Sequence, residues 1–251
     1  MNEQIGFGID IGGSGIKGAP VDLATGVLTA ERVRIPTPSP STPTAVAATV
    51  AELVAAFDLP AGASVGLTFP APIKHGLVPF IANLHRSWKG VDVPALMNEA
   101  TGRRVTAVND ADAAGVAEVA YGAAKGVPGV VLLTTLGTGI GSALVVDGHL
   151  VPNTELGHLE IDGHEAEHRA SSAAKETEGL SWSDWAARLQ RFYEVVEMLF
   201  SPDLLVVGGG VSKKHAKFLP LLRTKAPIVP AVLRNTAGIV GAARLAAGGA
   251  T

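Results

Sequence analysis

The sequence contains no cysteine, carries no large excess of either charge and has no long apolar run. Without cysteine the chain can form neither disulfides nor thiolate metal sites, which fits a reducing compartment. A net charge of −3 argues against nucleic-acid binding through bulk charge, since a polyanion requires a basic surface. No apolar run approaches the roughly 20 residues that span a bilayer, and Met1-Asn2-Glu3-Gln4 lacks the basic start of a signal peptide. We therefore expect a cytoplasmic protein that binds neither membranes nor nucleic acid.

Hydrophobic residues and glycines are abundant, at 47% and 30 of 251 residues, which is typical of a core-rich α/β protein with many tight turns. Strand, hairpin and helix patterns alternate along the chain and support the α/β class. We predict a third strand over Val27–Ile35 and a helix over about Glu165–Ala174. Aligning Gly12 with Gly137 places Asp22 opposite Asp147. This weak repeat suggests two related lobes, the first ending near residue 108.

Two glycine-rich turns are candidate anion sites. The first, Gly13–Gly18, matches the dinucleotide pattern G-x-G-x-x-G, but the residues after it contain Pro20 and predict a strand where that fold needs a helix. The turn is then either a structural hairpin or a set of backbone amides that contact phosphate. A second turn in the matching place, Gly137–Gly141, favours phosphate. Asp10, just before the first turn, could hold Mg²⁺ directly or through water.

A carboxylate follows a short apolar strand at Asn109-Asp110-Ala111-Asp112. Asp110 could cap the helix that follows, or it could accept a proton from a hydroxyl group at the strand end where open α/β sheets bind ligands. Asp112 could equally be a cap or a first-turn acid. Further on, Glu155 and His158 have the spacing to bind neighbouring sugar hydroxyls.

Two further stretches allow other functions. His164-Glu165-Ala166-Glu167-His168 matches the zinc-protease pattern H-E-x-x-H, although Asp162-Gly163 breaks the chain just before it and no third ligand follows. An exposed, charged helical turn is the ordinary explanation. Lys213-Lys214-His215 is either a solvated helix start or a basic track for an anionic donor.

Together these stretches resemble the ROK family of sugar kinases, within the actin-like, hexokinase-type superfamily. The resemblance covers nearly the whole chain, with five motifs in the family order. The matching stretches are Asp10-Ile11-Gly12-Gly13-Ser14-Gly15-Ile16-Lys17, Asn109-Asp110-Ala111-Asp112-Ala113-Ala114, Leu136-Gly137-Thr138-Gly139-Ile140-Gly141, Glu155-Leu156-Gly157-His158 and Val207-Gly208-Gly209-Gly210-Val211-Ser212. The resemblance implies an α/β fold of two actin-like (ribonuclease H-like) ATPase lobes with a cleft between them. The lobes would be 1–108, completed by a C-terminal helix at about 237–251, and 109–236.

The resemblance also implies roles for single residues, with Asp110 as the general base and Mg²⁺ as cofactor. The family's later sugar-binding glutamate falls on Glu167, which gives the H-E-x-x-H match a different explanation. The residues implied for the sugar are Asn109, Glu155, His158, Glu167, Gly66 and Thr68. Those implied for the phosphoryl donor are Asp10, Gly12, Gly13, Ser14, Gly15, Lys17, Gly137, Thr138, Gly139, Gly209 and Gly210.

Two departures from the family pattern narrow the expectation. Many members carry a cysteine-rich zinc loop after the histidine, but here only eight residues and no cysteine separate His158 from Glu167, so we expect no structural zinc. The repressor branch adds an N-terminal DNA-binding domain, which we do not expect because strand patterning begins by about residue 5.

Three stretches resemble the polyphosphate-using glucokinases of the family, namely Leu67–Pro72, Asn83–Trp88 and Pro152–Glu155. This implies transfer of the terminal phosphoryl group of inorganic polyphosphate, or of ATP, to the 6-hydroxyl of glucose and of mannose. A strictly ATP-dependent ROK hexokinase for another hexose, a zinc peptidase and a catalytically silent sugar-binding module remain alternatives. We expect a monomer or a homodimer.

Overall fold

The protein is described here by a computed structural model that covers residues 5–60, 62–81 and 84–248. Met1–Gln4 and Asn83, on which two of the expectations above rest, lie outside these ranges. The chain forms two compact units. The first contains the described residues up to Ala117 and from Thr236 onward, and the second contains Glu118–Asn235. The boundary between the two units therefore lies inside a helix, between Ala117 and Glu118, whereas the boundary expected from the sequence was near residue 108.

The first unit is built on a six-stranded sheet in the order β3-β2-β1-β5-β6, with β4 beside β2. β1 runs antiparallel to β2, whereas β1, β5 and β6 are parallel to one another. The strands are β1 (Ile5–Gly12), β2 (Gly15–Asp22), β3 (Val27–Leu28), β4 (Val33–Ile35), β5 (Val65–Phe69) and β6 (Val105–Asn109). Every residue of β5 is buried, as expected of a parallel strand covered on both faces. The carboxyl ends of β1, β5 and β6 meet at one sheet edge, and that edge carries polar side chains.

Four helices accompany this sheet, and the last of them comes from the far end of the chain. They are α1 (Pro43–Ala55), α2 (Val93–Thr101), α3 (Asp110–Tyr121) and α7 (Ala237–Ala246). Helix α7 packs directly on β1 and β5. A Cβ atom at Gly8 would lie 1.9 Å from the Ile239 carbonyl oxygen, and one at Gly66 would lie 1.8 Å from that of Ala242. These positions must be glycine because helix and strand backbones touch there.

The second unit is built on a five-stranded sheet in the order β13-β12-β7-β8-β9. Its strands are β7 (Val130–Leu136), β8 (Ile140–Val146), β9 (His149–Val151), β12 (Leu204–Gly208) and β13 (Ile228–Pro230). A separate two-stranded hairpin is formed by β10 (Glu160–Ile161) and β11 (His164–Glu165). β7 is antiparallel to β8 and parallel to β12, so it has the same kinds of neighbour as β1 in the first unit. The repeated strand–turn–strand pattern of the sequence thus corresponds to a repeated topology.

Three α-helices lie within the second unit: α4 (Ala166–Ala170), α5 (Ser172–Thr177) and α6 (Trp182–Phe200). Helix α6 buries an apolar stripe with helical spacing, made up of Trp185, Ala186, Leu189, Phe192, Tyr193 and Val196. The Tyr193 hydroxyl lies 2.7 Å from Thr134 Oγ1 on β7, so the one polar atom of this buried ring is satisfied. None of the described helices combines the length and the apolar composition that crossing a bilayer requires.

Two sequence predictions of local structure were wrong. The stretch Val27–Ile35 forms two short strands, β3 and β4, because both pair with β2 and the chain between them leaves the sheet. The helix predicted over Glu165–Ala174 is broken at Ser171, whose backbone is extended and whose Oγ accepts from the Ala174 amide at 3.1 Å, so that α5 starts anew. β10 and β11 were not predicted, since two-residue strands leave no periodicity to detect.

Candidate functional site

The catalytic candidate Asp110 lies where β6 ends and α3 begins. The helix is capped by Asn109, whose Oδ1 accepts from the amides of Ala111 (2.8 Å) and Asp112 (3.3 Å). Asp110, which the sequence also offered as a cap, takes a smaller part in it, because its Oδ1 accepts from the Ala111 amide alone, at 2.9 Å. Asp110 is exposed, whereas Asp112 is fully buried and cannot meet a ligand.

At the same sheet edge, Asp10 is held by two neighbours. The strand registers place it opposite Lys17 on β2 and Thr68 on β5. Thr68 Oγ1 donates to Asp10 Oδ1 at 2.9 Å, and Lys17 Nζ lies 3.4 Å from Oδ2. Since a cation already lies beside Oδ2, water-mediated Mg²⁺ binding fits this carboxylate better than direct coordination.

Two residues expected to bind sugar also make structural contacts. Thr68 is fully buried, and its hydroxyl group donates a hydrogen bond to Asp10. Gly66 is buried in β5 under α7, where backbone contact with Ala242 requires a glycine. These contacts explain why the two residues are threonine and glycine, and sugar binding by either residue stays a prediction.

The first glycine turn, between β1 and β2, exposes Gly13 and Ser14. Nothing lies within 4 Å of a Cβ built on Gly13, so its backbone is open to a ligand. Arg34, on β4, donates from Nη2 to the Ser14 carbonyl oxygen at 2.6 Å. Its guanidinium occupies the place of a side chain at Gly15, where a Cβ would lie 2.6 Å from Nε. Sequence reasoning missed Arg34, because only strand pairing brings it to the turn.

The second glycine turn, Gly137–Gly139, holds a carboxylate. Glu167 Oε2 accepts from the Ile140 amide at 3.2 Å. A Cβ would lie 2.2 Å from this oxygen at Gly139 and 3.2 Å from it at Gly157. Glu167 thus fits between two glycines, while Thr138 at the tip of the turn is exposed.

The predicted Glu155–His158 pair lies beside Glu167. Burial raises the pKa of the Glu155 carboxyl, with the charge of Glu167 adding to the effect and that of His158 opposing it. His158 Nδ1 lies 3.0 Å from Glu165 Oε2 and 3.9 Å from Glu167 Oε1. The hydrogen bond to Glu165 is the main cause of a raised His158 pKa, and it lowers the pKa of Glu165. This arrangement gathers acceptors and a ring nitrogen suited to hydroxyl groups.

The H-E-x-x-H match does not form a protease site. His164 lies in β11 and His168 in α4, so the two histidines do not share one helical face. Glu165 and Glu167 instead contact His158, and together these three side chains offer one oxygen or nitrogen atom each, all within 4.8 Å of one another. Glu165 was treated from the sequence as part of a chance match, and no sequence signal connected it with His158.

The third glycine stretch and the lysines after it lie in the second unit. Gly209 has φ 80°, and a Cβ there would lie 2.4 Å from the Leu136 carbonyl oxygen, whereas nothing lies within 4 Å of one at Gly210. The segment Gly210–Lys217 is 3₁₀-helical with a kink at Lys214. The Nζ atoms of Lys175, Lys217 and Lys214 lie 4.3, 5.6 and 6.0 Å from the centre of the Trp182 ring. Two of the lysines of this segment therefore join a third in one basic cluster around Trp182.

The arrangement of these motifs agrees with a family comparison, in which the profile of the ROK family matches residues 6–174. The chain belongs to the ROK family. A polyphosphate glucokinase from Mycobacterium tuberculosis is 50% identical over 242 residues, covering 96% of this chain and 91% of the relative. Both the resemblance and the fold class predicted from the sequence are confirmed.

Two solved structures are similar to this chain. The inorganic polyphosphate/ATP-glucomannokinase from an Arthrobacter strain is 56% identical, with a TM-score of 0.92, and the alignment covers 97% of this chain and 98% of that one. A ROK family glucokinase from Streptomyces griseus, solved with glucose and AMPPNP, is 24% identical with a TM-score of 0.76, covering 98% of this chain and all of that one. The second likeness supports the fold alone.

Proposed function

We propose that the protein is a hexose kinase that transfers the terminal phosphoryl group of inorganic polyphosphate or of ATP to the 6-hydroxyl of glucose, and also of mannose. Two relatives at 50% and 56% identity, one a polyphosphate glucokinase and the other a polyphosphate/ATP-glucomannokinase, support this assignment. The observation that carries it is the exposed carboxylate of Asp110, which follows the end of β6 in the first turn of α3.

Asp110 is the proposed general base. Its carboxylate takes the proton of the 6-hydroxyl as that oxygen attacks the terminal phosphorus, while the bond from phosphorus to the donor's bridging oxygen breaks. The rest of the donor leaves as a shortened polyphosphate or as ADP. Phosphoryl transfer asks a protein mainly for positioning and electrostatic stabilisation, so the base needs a fixed position more than a shifted pKa. The location of Asp110 in the first turn of α3 supports this proposal.

The sugar is assigned to four residues. Glu155, His158 and Glu167 lie together in the second unit as acceptors and donors for hydroxyl groups. Asn109 in the first unit uses Oδ1 for the helix cap, so its Nδ2 group is the part that would donate to the sugar.

The donor is assigned to the two glycine turns and to the stretch from Gly208 to Gly210. Open backbone at Gly13, Gly137 and Gly210 leaves room for phosphate oxygens to approach the amides. Mg²⁺ bound to the donor would offset charge on the transferring group, and we assign Asp10 to orient that ion through water. Arg34 and Lys17 add positive charge at the first turn.

A comparison of donors and acceptors tests the function. Purified protein is incubated with Mg²⁺, polyphosphate or ATP, and glucose or mannose, and hexose 6-phosphate is measured with a coupled enzyme. We expect product with both donors and both sugars. Product with ATP alone would favour an ATP-dependent ROK hexokinase, and glucose binding without product would favour a sugar-binding module. Peptidase activity lost in His164→Ala would favour the zinc enzyme.

A further inference from the structure

We propose that Glu165 is a positioning residue that holds the His158 ring in one tautomer and one orientation for binding the sugar. The inference rests on the proposed role of His158 in sugar binding. The contact that carries it is the 3.0 Å hydrogen bond between His158 Nδ1 and Glu165 Oε2. A carboxylate can only accept, so Nδ1 must carry the proton that it donates. The neutral ring then presents the lone pair of Nε2 to a hydroxyl group, and the protonated ring presents an N–H.

The backbone beneath His158 is fixed without Glu165. Leu156 is buried, and its amide donates to Ser142 Oγ at 3.0 Å. A Cβ on Gly157 would lie 2.3 Å from the Ile140 carbonyl oxygen, so this turn packs tightly on β8. The freedom that remains is rotation of the His158 side chain, and the contact with Glu165 restricts that rotation.

Glu165 in turn has a defined position. It lies at the end of β11, paired with Glu160 across the β10–β11 hairpin, and α4 begins at the next residue. The hairpin therefore brings the carboxylate to the ring across seven positions of sequence.

The exposure of the pair argues against a role in stability. The His158 and Glu165 side chains retain 46% and 44% of their exposure, and ion pairs this open to solvent contribute little to folding. The hydrogen bond instead changes which nitrogen of the ring carries a proton and where the ring points. Orientation of a ligating or catalytic imidazole by a carboxylate on its other nitrogen is a general device.

The chain offers a matched control for Glu165. Glu160, its partner across the hairpin, is exposed, and Glu160→Gln removes the same charge from the same hairpin without touching His158. We expect Glu165→Ala to raise the KM and the Kd for glucose by roughly three- to tenfold, the usual range for one lost hydrogen bond. The KM for the phosphoryl donor should stay unchanged, and Glu165→Gln, which keeps an acceptor oxygen, should recover most of the loss.

A spectroscopic measurement reports on the tautomer independently of turnover. Nitrogen-15 NMR of the histidine rings is recorded at about pH 8.5, above the ordinary imidazole pKa of about 6.5, with His158→Asn for assignment. We expect an Nδ1–H tautomer in the wild type and in Glu160→Gln, and its loss in Glu165→Ala. Because this readout needs no catalysis, it still tests the positioning contact if the protein proves not to phosphorylate glucose.

Two results would overturn the inference. One is a Glu165→Ala variant with wild-type glucose affinity and an unchanged ring tautomer. The other is a tightly held metal ion whose removal by a chelator raises the glucose KM as much as Glu165→Ala does, since Glu165 would then be a ligand of that ion.

Discussion

At the scale of single residues, neighbouring side chains at the end of β6 divide two tasks. Asn109 is buried and satisfies the first amides of α3, whereas Asp110 is exposed. In the sequence both tasks were open to Asp110, because aspartate and asparagine cap helices about equally well. In the structure Asn109 accepts from two first-turn amides, whereas Asp110 accepts from one of the same two and stays exposed.

Replacing the base should remove turnover while leaving the sugar site intact. We expect Asp110→Asn to lower kcat by about 10²–10⁴-fold, the usual contribution of a general base, with little change in glucose affinity. A coupled assay gives kcat and calorimetry gives the affinity. The control Asp58→Asn removes an exposed carboxylate elsewhere in the same unit, and its kcat and glucose affinity should equal those of the wild type. Turnover near that of the wild type in Asp110→Asn would reject Asp110 as the base.

Asn109 can be tested for its two roles separately. We expect Asn109→Ala to lower the free energy of unfolding by about 1 kcal/mol through loss of the cap. Asn109→Asp keeps a capping oxygen but loses the Nδ2 donors, so stability should be retained while the glucose KM rises several-fold. Urea denaturation and initial-rate kinetics measure the two effects. Equal glucose KM in Asn109→Asp and wild type would limit Asn109 to capping.

At the scale of elements, the close approach of a helix to a strand explains why residue 66 is glycine. From the sequence, Gly66 could be related only to sugar binding. Helix α7 meets β5 so closely that a Cβ on Gly66 would overlap the Ala242 carbonyl group. The sequence separation between these residues hides the contact from any local pattern.

This packing predicts a cost for Gly66→Ala. The added methyl group must push α7 away from β5, which we expect to destabilise the protein by about 1–3 kcal/mol, as other overpacking substitutions do. Thermal denaturation compares it with Gly62→Ala, where nothing lies within 4 Å of the new Cβ. A Gly66→Ala variant that is stable but binds glucose poorly would instead support the predicted contact of Gly66 with the sugar.

At the scale of the whole molecule, a net charge of −3 does not prevent a local basic surface. Lys175, Lys214 and Lys217 come from α5 and from the 3₁₀ helix after Gly209, and they gather around Trp182. Among the described ion pairs, none involves these three lysines. Their charge is therefore available to an anion.

The cluster predicts a difference between donors. We expect Lys175→Ala combined with Lys217→Ala to raise the KM for polyphosphate several-fold, more than the KM for ATP, because a long polyanion contacts more cations. Added salt should reduce the difference in polyphosphate KM between the wild type and the double variant, because salt screens these charges. Lys89→Ala, an exposed lysine of the first unit, serves as control. If the double variant changes the KM of both donors equally, or changes neither, the cluster does not bind polyphosphate preferentially.

Most of the features that could be predicted from the sequence depend on residues close together in the chain. Alternating and continuous apolar runs predicted the main strands, glycine turns predicted the hairpins, and the order of short motifs predicted the family. These features are therefore readable without coordinates. The roles of Asp110, Glu155, His158 and Glu167 stay predictions that the proposed experiments address.

Only the tertiary structure decided which distant groups touch. Thr68 meets Asp10 across 58 positions, Arg34 reaches the Ser14 carbonyl across 20, and Glu165 turns back to His158. Each contact follows from strand register or from helix packing, which sets side chains within hydrogen-bonding distance whatever their separation in sequence. The sequence by itself therefore determined which chemical groups this protein has, and the fold decided which of them act together.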